Sequence, residues 1–263
     1  MSNPWSTKDS AIQIALKLEG RDLWNLCSTN KQLLGWICNN KQFWTQKIMQ
    51  DFKINTHEIL GRGGASDDYR FLFDIQNKDL SMLNWSLTKE SRHGKIDHVK
   101  LLLKNGADIH THCDLALLIA AQIGHKNVIE HLLENGANIH AKDDEALTGA
   151  AEHGHINVVE LLLKNGANVH ARGDYALLLA AQFGHKDVVE LLLNNGANIH
   201  AENDYALRFA ASNGHKDVVE LLLKNGANMH AYNDSALRMA VKNGHKDVEA
   251  LLNKESGYSC RIC

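Results

Sequence analysis

Proline is almost absent from this chain, with one residue in 263. Because proline kinks or ends helices, a sequence nearly free of it imposes few such breaks. Cysteine is also sparse, and the five cysteines are scattered and odd in number. That usage suits a reducing compartment better than a disulfide framework. The sequence therefore predicts a mostly helical, intracellular protein.

An excess of one charge and long apolar runs are also missing. Lys plus Arg (28) against Asp plus Glu (31) leaves a net charge of -3, so no strong positive field exists for phosphate backbones or anionic lipids. The longest apolar run, 115–121, is far short of the roughly 20 residues that span a bilayer. We therefore expect no nucleic-acid partner and no membrane partner.

What the sequence does have is a repeat. From Asp114 onward it restarts every 30 residues with the register D-x-A-L-x-x-A-A-x-x-G-H-x-x-V-x-x-L-L-L-x-N-G-A-N-x-H-A-x-x, and a weaker copy fits residues 84–113. A fixed period of this length is typical of a solenoid, in which neighbouring units bury a core that no unit buries alone. The later repeats begin at Asp144, Asp174, Asp204 and Asp234.

Two short helices per repeat follow from the spacing. The initial Asp is expected to cap the first helix, whose alanines and leucines recur at helical intervals before Gly124 allows a left-handed stop. Val128 and Leu132 share one face of the second helix, which is expected to end at Asn135-Gly136. End repeats should carry polar residues at otherwise apolar positions, and these are Ser86, Glu90, Ser91 and His98 at one end and Glu249 and Asn253 at the other.

The Gly-His, Val-Val-Glu-Leu-Leu-Leu and Asn-Gly-Ala-Asn elements resemble the consensus of the ankyrin repeat over residues 84–253. The resemblance implies an all-α solenoid of about six helix-turn-helix units. Two departures stand out: the usual Thr-Pro of the first helix is replaced, and about three residues of the hairpin tip are missing, so the finger loops should be short. The units are 84–113, 114–143, 144–173, 174–203, 204–233 and 234–253, followed by a flexible tail at 254–263.

Repeats of 30 residues with His before Ala, as at His140 and His170, resemble those abundant in giant DNA viruses of amoebae. That resemblance implies a viral protein acting in the host cytoplasm.

Residues 1–55 do not repeat and are expected to form a small helical module, joined by a linker and capping helix at 56–83. The order of its residues resembles the F-box, which implies a surface for the Skp-type adaptor of a cullin-RING ubiquitin ligase. Alternatively, these helices only cover the end of the repeat stack. The residues that match the F-box pattern are Leu18, Asp22, Leu23, Leu26, Leu33, Phe43 and Trp44.

Partner specificity in a strict repeat belongs to the positions that vary. These fall on the first helices, and the ankyrin resemblance puts them on a concave face, where aromatic anchors beside arginine suit a protein partner. Alternatively, several of these apolar groups complete the core between repeats. The candidate binding residues are Tyr175, Tyr205, Phe183, Phe209, Arg208, Arg238 and Ile123.

Sixteen histidines are present, but ten occupy two fixed repeat positions. Neutral imidazoles that bridge backbone groups of adjacent repeats explain them better than metal binding does, because ligand-spaced Cys or carboxylate clusters are missing. Arg172-Gly173-Asp174 resembles a cell-adhesion tripeptide, but its Asp falls at the predicted helix cap. We expect no catalytic residues, no metal and no cofactor. The function is either a substrate adaptor for a ubiquitin ligase or a scaffold that sequesters a host or viral protein.

Overall fold

The structure, a computed structural model, describes residues 80–255 and the separate positions 12, 15–18, 43, 46, 47 and 75. Throughout 80–255 the regular elements are helices, two for each repeat, which confirms the prediction of an all-α repeat fold. The chain divides into an N-terminal unit of Met1–Glu90 and Lys95–Asp108 and a C-terminal unit of Ser91–Gly94 and Ile109–Cys263. Residues 256–263 of the tail predicted at 254–263 and most of the predicted linker lie outside the described residues.

The helices follow the predicted order of a first and a second helix in each repeat. Their bounds are α1 Leu80–Arg92, α2 Ile96–Lys104, α3 Thr111–Ile123, α4 Lys126–Glu134, α5 Glu145–Glu152, α6 Ile156–Lys164, α7 Ala171–Gln182, α8 Lys186–Asn194, α9 Ala201–Ser212, α10 Lys216–Lys224, α11 Ala231–Asn243 and α12 Lys246–Glu255. Helix α1 includes residues from Leu80, before the predicted repeat boundary at 84, and the last helix continues past 253 to Glu255.

In the core of the C-terminal unit, small and large apolar side chains occupy fixed positions of each repeat. The alanines at one position of the first helices are fully buried, as at Ala150 and Ala180, both 0% exposed. Their small side chains let neighbouring first helices approach closely, while Val159 and Leu162 of the second helix, also 0% exposed, supply larger buried apolar side chains. The repeated pattern thus forms a continuous core.

Second helices end as the sequence predicts. Asn165 follows α6 and its side-chain amide donates to Leu161 O at 2.8 Å, and Gly166 then has a φ of 94°. The amide satisfies a carbonyl that has no partner within the last turn, and glycine tolerates the left-handed backbone. Asn-Gly therefore ends the second helices α2, α4, α6, α8 and α10 from both the side chain and the backbone.

The start of the first helices differs from the prediction. Three successive residues at or just before the start of each first helix from α3 to α11 are left-handed; before α5 they are Lys142, Asp143 and Asp144, with φ of 50°, 56° and 57°. Asp144 makes no side-chain cap bond to its own helix. Its Oδ1 instead accepts from Asn168 N, in the loop between α6 and α7, at 2.8 Å and from His140 Nδ1 of the preceding repeat at 3.1 Å. The cap prediction is wrong because the left-handed turn brings this carboxylate to the loop after the second helix.

The Asp of the Arg-Gly-Asp tripeptide makes the same two kinds of contact. Asp174 is buried, and its Oδ1 accepts from Asn198 N at 2.7 Å and from His170 Nδ1 at 3.0 Å. A carboxylate used in this way inside the fold is not presented to a receptor. Its role joins consecutive repeats.

Histidines that follow glycine form the predicted bridges between repeats. His155 Nε2 donates to Gln122 O of the preceding repeat at 3.0 Å, and His185 Nε2 donates to Glu152 O at 2.8 Å. A Cβ at Gly154 would lie 2.5 Å from His185 Nδ1, so the preceding glycine leaves the space for the ring. The second set of histidines differs from the prediction, because these rings pair with a side chain and not with a backbone group. The partner is the Asp that begins the next repeat, as at His140 and Asp144, which lie 3.1 Å apart.

The first repeat corrects the expectation of a polar cap at that end. Its polar residues are buried: Glu90 and His98 are each 3% exposed, and His98 Nδ1 lies 3.0 Å from Glu90 Oε2. Burial alone raises the pKa of Glu90, but the hydrogen bond from His98 and the charge of Lys95 outweigh it and lower the pKa. Glu90 and His98 both belong to the N-terminal unit, and because they are buried this repeat does not present them to solvent as a polar cap would.

Candidate functional site

Side chains that vary between repeats lie on the first helices, and they form a groove and a cluster. The groove has a volume of about 230 Å³ and crosses α3, α5 and α7. Ile119 and Leu179 stand at its two apolar sides, and Gly149 lies between them. We call it the α3–α7 groove. Its charged and aromatic lining residues are Glu145, Glu152, Arg172 and Tyr175.

The cluster lies on α9 and on the left-handed turn at the start of α11. The rings of Tyr205 and Phe209 have centroids 4.2 Å apart. The Arg208 guanidinium carbon lies 4.9 Å from the Tyr205 ring and 4.5 Å from the Tyr232 ring. An arginine between two tyrosine rings gains cation–π attraction at both faces. We call these four residues the tyrosine–arginine cluster.

Backbone carbonyls hold the two arginines of this region. Arg208 donates to Glu202 O at 3.2 Å, and Arg238 donates to Tyr232 O at 3.2 Å. Within the described part of the chain, Arg208 Nε is buried without a hydrogen-bond partner. The guanidinium is therefore fixed in place before any partner arrives.

Tyr232 is the residue that sequence reasoning missed. It belongs to the left-handed turn, two positions before the Asp of the last repeat, and its φ is 54°. Its side chain is 64% exposed. The variable positions singled out in the sequence all follow the Asp that begins each repeat, whereas Tyr232 precedes it. A large aromatic residue at a turn position occupied elsewhere by His, Lys, Arg and Glu was the available signal.

The remaining predicted residues are spread more widely. Tyr175, 39% exposed, lines the α3–α7 groove. Phe183 and Ile123, 46% and 39% exposed, lie at the ends of α7 and α3 and belong to neither the groove lining nor the cluster. The equivalent residue Asn213 donates its amide to Gln182 O of the preceding repeat at 3.1 Å. Phe183 and Ile123 replace that polar contact with exposed apolar surface.

The alternative that these apolar groups complete the core fits part of the first helices. Ile119 and Leu179, one position type, are each 8% exposed and pack inside the stack. Phe209, at the same position, is half-buried and its ring faces Tyr205. The same repeat position therefore contributes to the core in some repeats and to the surface in another.

Of the residues matched to the F-box, the structure describes two. Leu18 is half-buried, and Phe43 is 2% exposed. Nearby, Lys47 Nζ donates to Leu16 O at 2.9 Å, which links two segments 31 residues apart. The other matched residues, Asp22, Leu23, Leu26, Leu33 and Trp44, lie outside the described residues.

Metal sites and membrane-spanning helices are two other features of interest. Among the described residues, no group of three or more His, Cys, Asp or Glu side chains has the arrangement of a metal site. No helix in the described part of the chain has the length and apolar character needed to cross a bilayer.

Comparison with known proteins supports the repeat assignment. The sequence profile described as "Ankyrin repeats (3 copies)" matches residues 87–173 and 177–262, well over half of the chain. No curated protein matches the chain.

Proposed function

The chain belongs to the ankyrin-repeat family, whose repeats form protein–protein interaction modules, and we propose that a protein target binds along its first helices from α3 to α11. The observation that carries this proposal is the tyrosine–arginine cluster, whose Arg208 is already fixed between two rings. Tyrosine and arginine are enriched among the residues that dominate interface energetics. Arg208 has little further side-chain freedom to lose on binding, because its guanidinium already lies against two tyrosine rings. The module performs no chemistry itself.

The proposed contact surface has a central and an outer part. The cluster, together with Tyr175 in the α3–α7 groove, provides the aromatic anchors. The exposed side chains of Ile123, Phe183 and Arg238 surround them and contribute less, as residues at the rim of an interface do. The target is a folded protein or an extended segment that presents complementary apolar side chains.

Replacement of cluster residues tests this surface. Tyr205→Ala together with Arg208→Ala should weaken capture of the target about 30-fold, the effect of a single strong hot spot of about 2 kcal/mol. The measurement is quantitative capture of cell proteins on the immobilised full chain. Lys224→Ala, at the exposed end of α10, is the control. Proteins retained equally by all three chains would contradict the proposed surface.

We further propose that residues 1–55 bind the Skp-type adaptor of a cullin-RING ligase, so that the chain tethers its target to the ligase. Support comes from the F-box resemblance and from the packing of Lys47 against Leu16, which joins the start and the end of the matched segment. The adaptor-binding residues would be those already matched to the F-box. The action of the protein then takes place inside the cell, in agreement with its scattered cysteines.

A second function, sequestration of a protein without any ligase, is favoured by one observation. Buried Glu90 and His98 in a unit that reaches back to Met1 are what a covering domain produces. Binding of the full chain to a purified Skp-type subunit separates the two functions. Loss of binding in Leu23→Asp, with binding retained in Tyr205→Ala, supports the adaptor. Absence of binding to the wild-type chain supports sequestration.

A further inference from the structure

One residue of the first helices departs from its equivalents in size. Gly149, in the middle of α5, occupies the position held by Ile119, Leu179, Phe209 and Met239 in the other repeats of the C-terminal unit. Glycine in a helix interior is less stable than alanine by roughly 0.5–1 kcal/mol. The chain therefore keeps a destabilising residue at this point of the stack.

The fold does not require glycine there. Gly149 does not have the left-handed backbone of the turn glycines, and a Cβ built on it would lie 3.7 Å from Gln122 Cβ, an ordinary van der Waals contact. Gly154, five residues later, is the contrast, because it has a φ of 72° and its Cβ would overlap the His185 ring. Alanine therefore fits at Gly149 without displacing the backbone, and the equivalent position of the other repeats holds larger residues.

What the missing side chain produces is a notch. Ile119 and Leu179 stand on either side of Gly149 in the α3–α7 groove, whose volume is about 230 Å³. An apolar cavity of about 150 Å³ is enough to bind benzene, so the groove has room for one leucine, methionine or aromatic side chain. A side chain of this size would restore the packing that the neighbouring repeats supply from within the chain.

The two carboxylates at the notch differ in their ion pairs. Glu145 and Glu152 both line the groove; Glu145 lies 3.9 Å from Lys142 Nζ in an exposed pair. Among the ion pairs of residues 80–255, none includes Glu152. The nearest groove cation, Arg172, donates to Lys142 O at 3.0 Å. Glu152 therefore offers a carboxylate to a basic group of a partner.

We propose that the notch above Gly149 binds a protein segment that inserts one large apolar side chain between Ile119 and Leu179 and pairs a neighbouring Lys or Arg with Glu152. The proposal rests on the proposed function, because the groove belongs to the same series of first helices. It adds the chemistry of the bound segment, which is an apolar residue next to a basic one.

Selection from a library of short random peptides displayed on phage tests the proposal, with the immobilised full chain as the target. Enriched peptides are then synthesised, and their affinity is measured by fluorescence polarisation on wild type and variants. We expect enriched peptides to share a Leu, Met, Phe or Trp close to a Lys or Arg. Gly149→Leu should lower their affinity at least tenfold, because it restores the repeat pattern and fills the notch from within.

Two further variants separate filling from folding and from charge. Gly149→Ala fills little of the notch and should bind within about threefold of wild type, while its higher helix propensity keeps the fold intact. Glu152→Gln should weaken binding by up to about fivefold, the effect of an exposed ion pair of up to 1 kcal/mol. A urea melt of each variant establishes that it is folded.

Three results would overturn the proposal. These are equal affinity for wild type and Gly149→Leu, enrichment of acidic rather than basic motifs, and failure to enrich any motif. If peptides bind but depend on Tyr205 and Arg208 instead of Gly149, the notch is wrong and the proposed function stands. If capture of cell proteins does not depend on the cluster while peptides still bind at the notch, the notch stands and the proposed surface at the cluster is wrong.

Discussion

At the residue scale, the costliest backbone of the structure is also its most regular feature. Each left-handed residue other than glycine costs about 1–2 kcal/mol, less for Asn and Asp. Three occur in succession at or just before the start of each first helix from α3 to α11, and only the turn at α7 places a glycine among them, Gly173 with a φ of 69°. The third of the three is an Asp, and at Asp144 and Asp174 its buried carboxylate offsets the cost because it satisfies a backbone N–H of the loop after the second helix.

One substitution at two glycines separates the two roles of that residue. Gly173→Ala should lower the free energy of unfolding by about 1 kcal/mol, because alanine resists the left-handed backbone although nothing lies within 4 Å of its Cβ. Gly149→Ala should raise it by about 0.5–1 kcal/mol, because α5 is right-handed there. Urea denaturation measures both. The same sign for both changes would contradict this interpretation of the turns.

The Asp that joins repeats gives a second prediction. Asp174→Ala should cost about 2 kcal/mol of unfolding free energy, within the range for a buried donor left without an acceptor, here Asn198 N. Asp234→Ala is the control: it removes an equivalent left-handed Asp whose side chain is 55% exposed and bonds His230. Urea denaturation measures both variants. Equal losses of unfolding free energy would show that the hydrogen bond from Asn198 N to Asp174 contributes nothing to stability.

At the element scale, rows of histidine connect the ends of the first helices. His155 donates to Gln122 O, and Nδ1 of the ring lies against Gly124. Burial lowers the pKa of His155 below its ordinary 6.5, the bond to Gln122 opposes that change, and the neighbouring histidines of the row lower the pKa further. Protonation of one ring therefore hinders protonation of the next.

The sign of the pH effect follows from that shift. The folded chain binds fewer protons at His155 than the unfolded chain does, so stability is full above pH 6.5 and falls as the pH drops through that value. We expect the melting temperature to fall between about pH 7.5 and pH 5.

His155→Gln keeps an amide donor for Gln122 O but does not titrate. Its melting temperature should therefore fall less over the same range than that of the wild type. His112→Gln, at an exposed residue, should behave as wild type. Thermal melts monitored by circular dichroism measure all three chains, and identical pH slopes for wild type and His155→Gln would contradict the assigned role of the ring.

Helix positions and helix ends were predictable from the sequence because short-range rules decide them. Alanine and leucine spacing gave the helices, and Asn-Gly gave their C-terminal ends. The left-handed turns were not predictable, because an Asp before a helix also fits an N-cap, and only the folded stack shows that its carboxylate bonds the loop after the second helix. Tyr232 and the groove at Gly149 required the same information, since both depend on contacts between repeats.

At the scale of the whole chain, repeated and departing residues have separate tasks. The repeated Ala, Val and Leu form the core of the C-terminal unit, and the repeated Asp and His join each repeat to its neighbours. Departures from the pattern, Gly149 and the tyrosine–arginine cluster, lie on the first helices. Because stacked repeats contact only their neighbours, such departures change the surface locally and leave the rest of the stack intact.

Hydrogen exchange of the full chain, with and without a peptide selected from the library, tests this separation most directly. The account predicts that bound peptide slows exchange in α5, in α7 and in the turn at 172–174, and leaves the second helices α6 and α8 unchanged. Slower exchange confined to α6 and α8 would place binding on the repeated face of the stack and contradict the account.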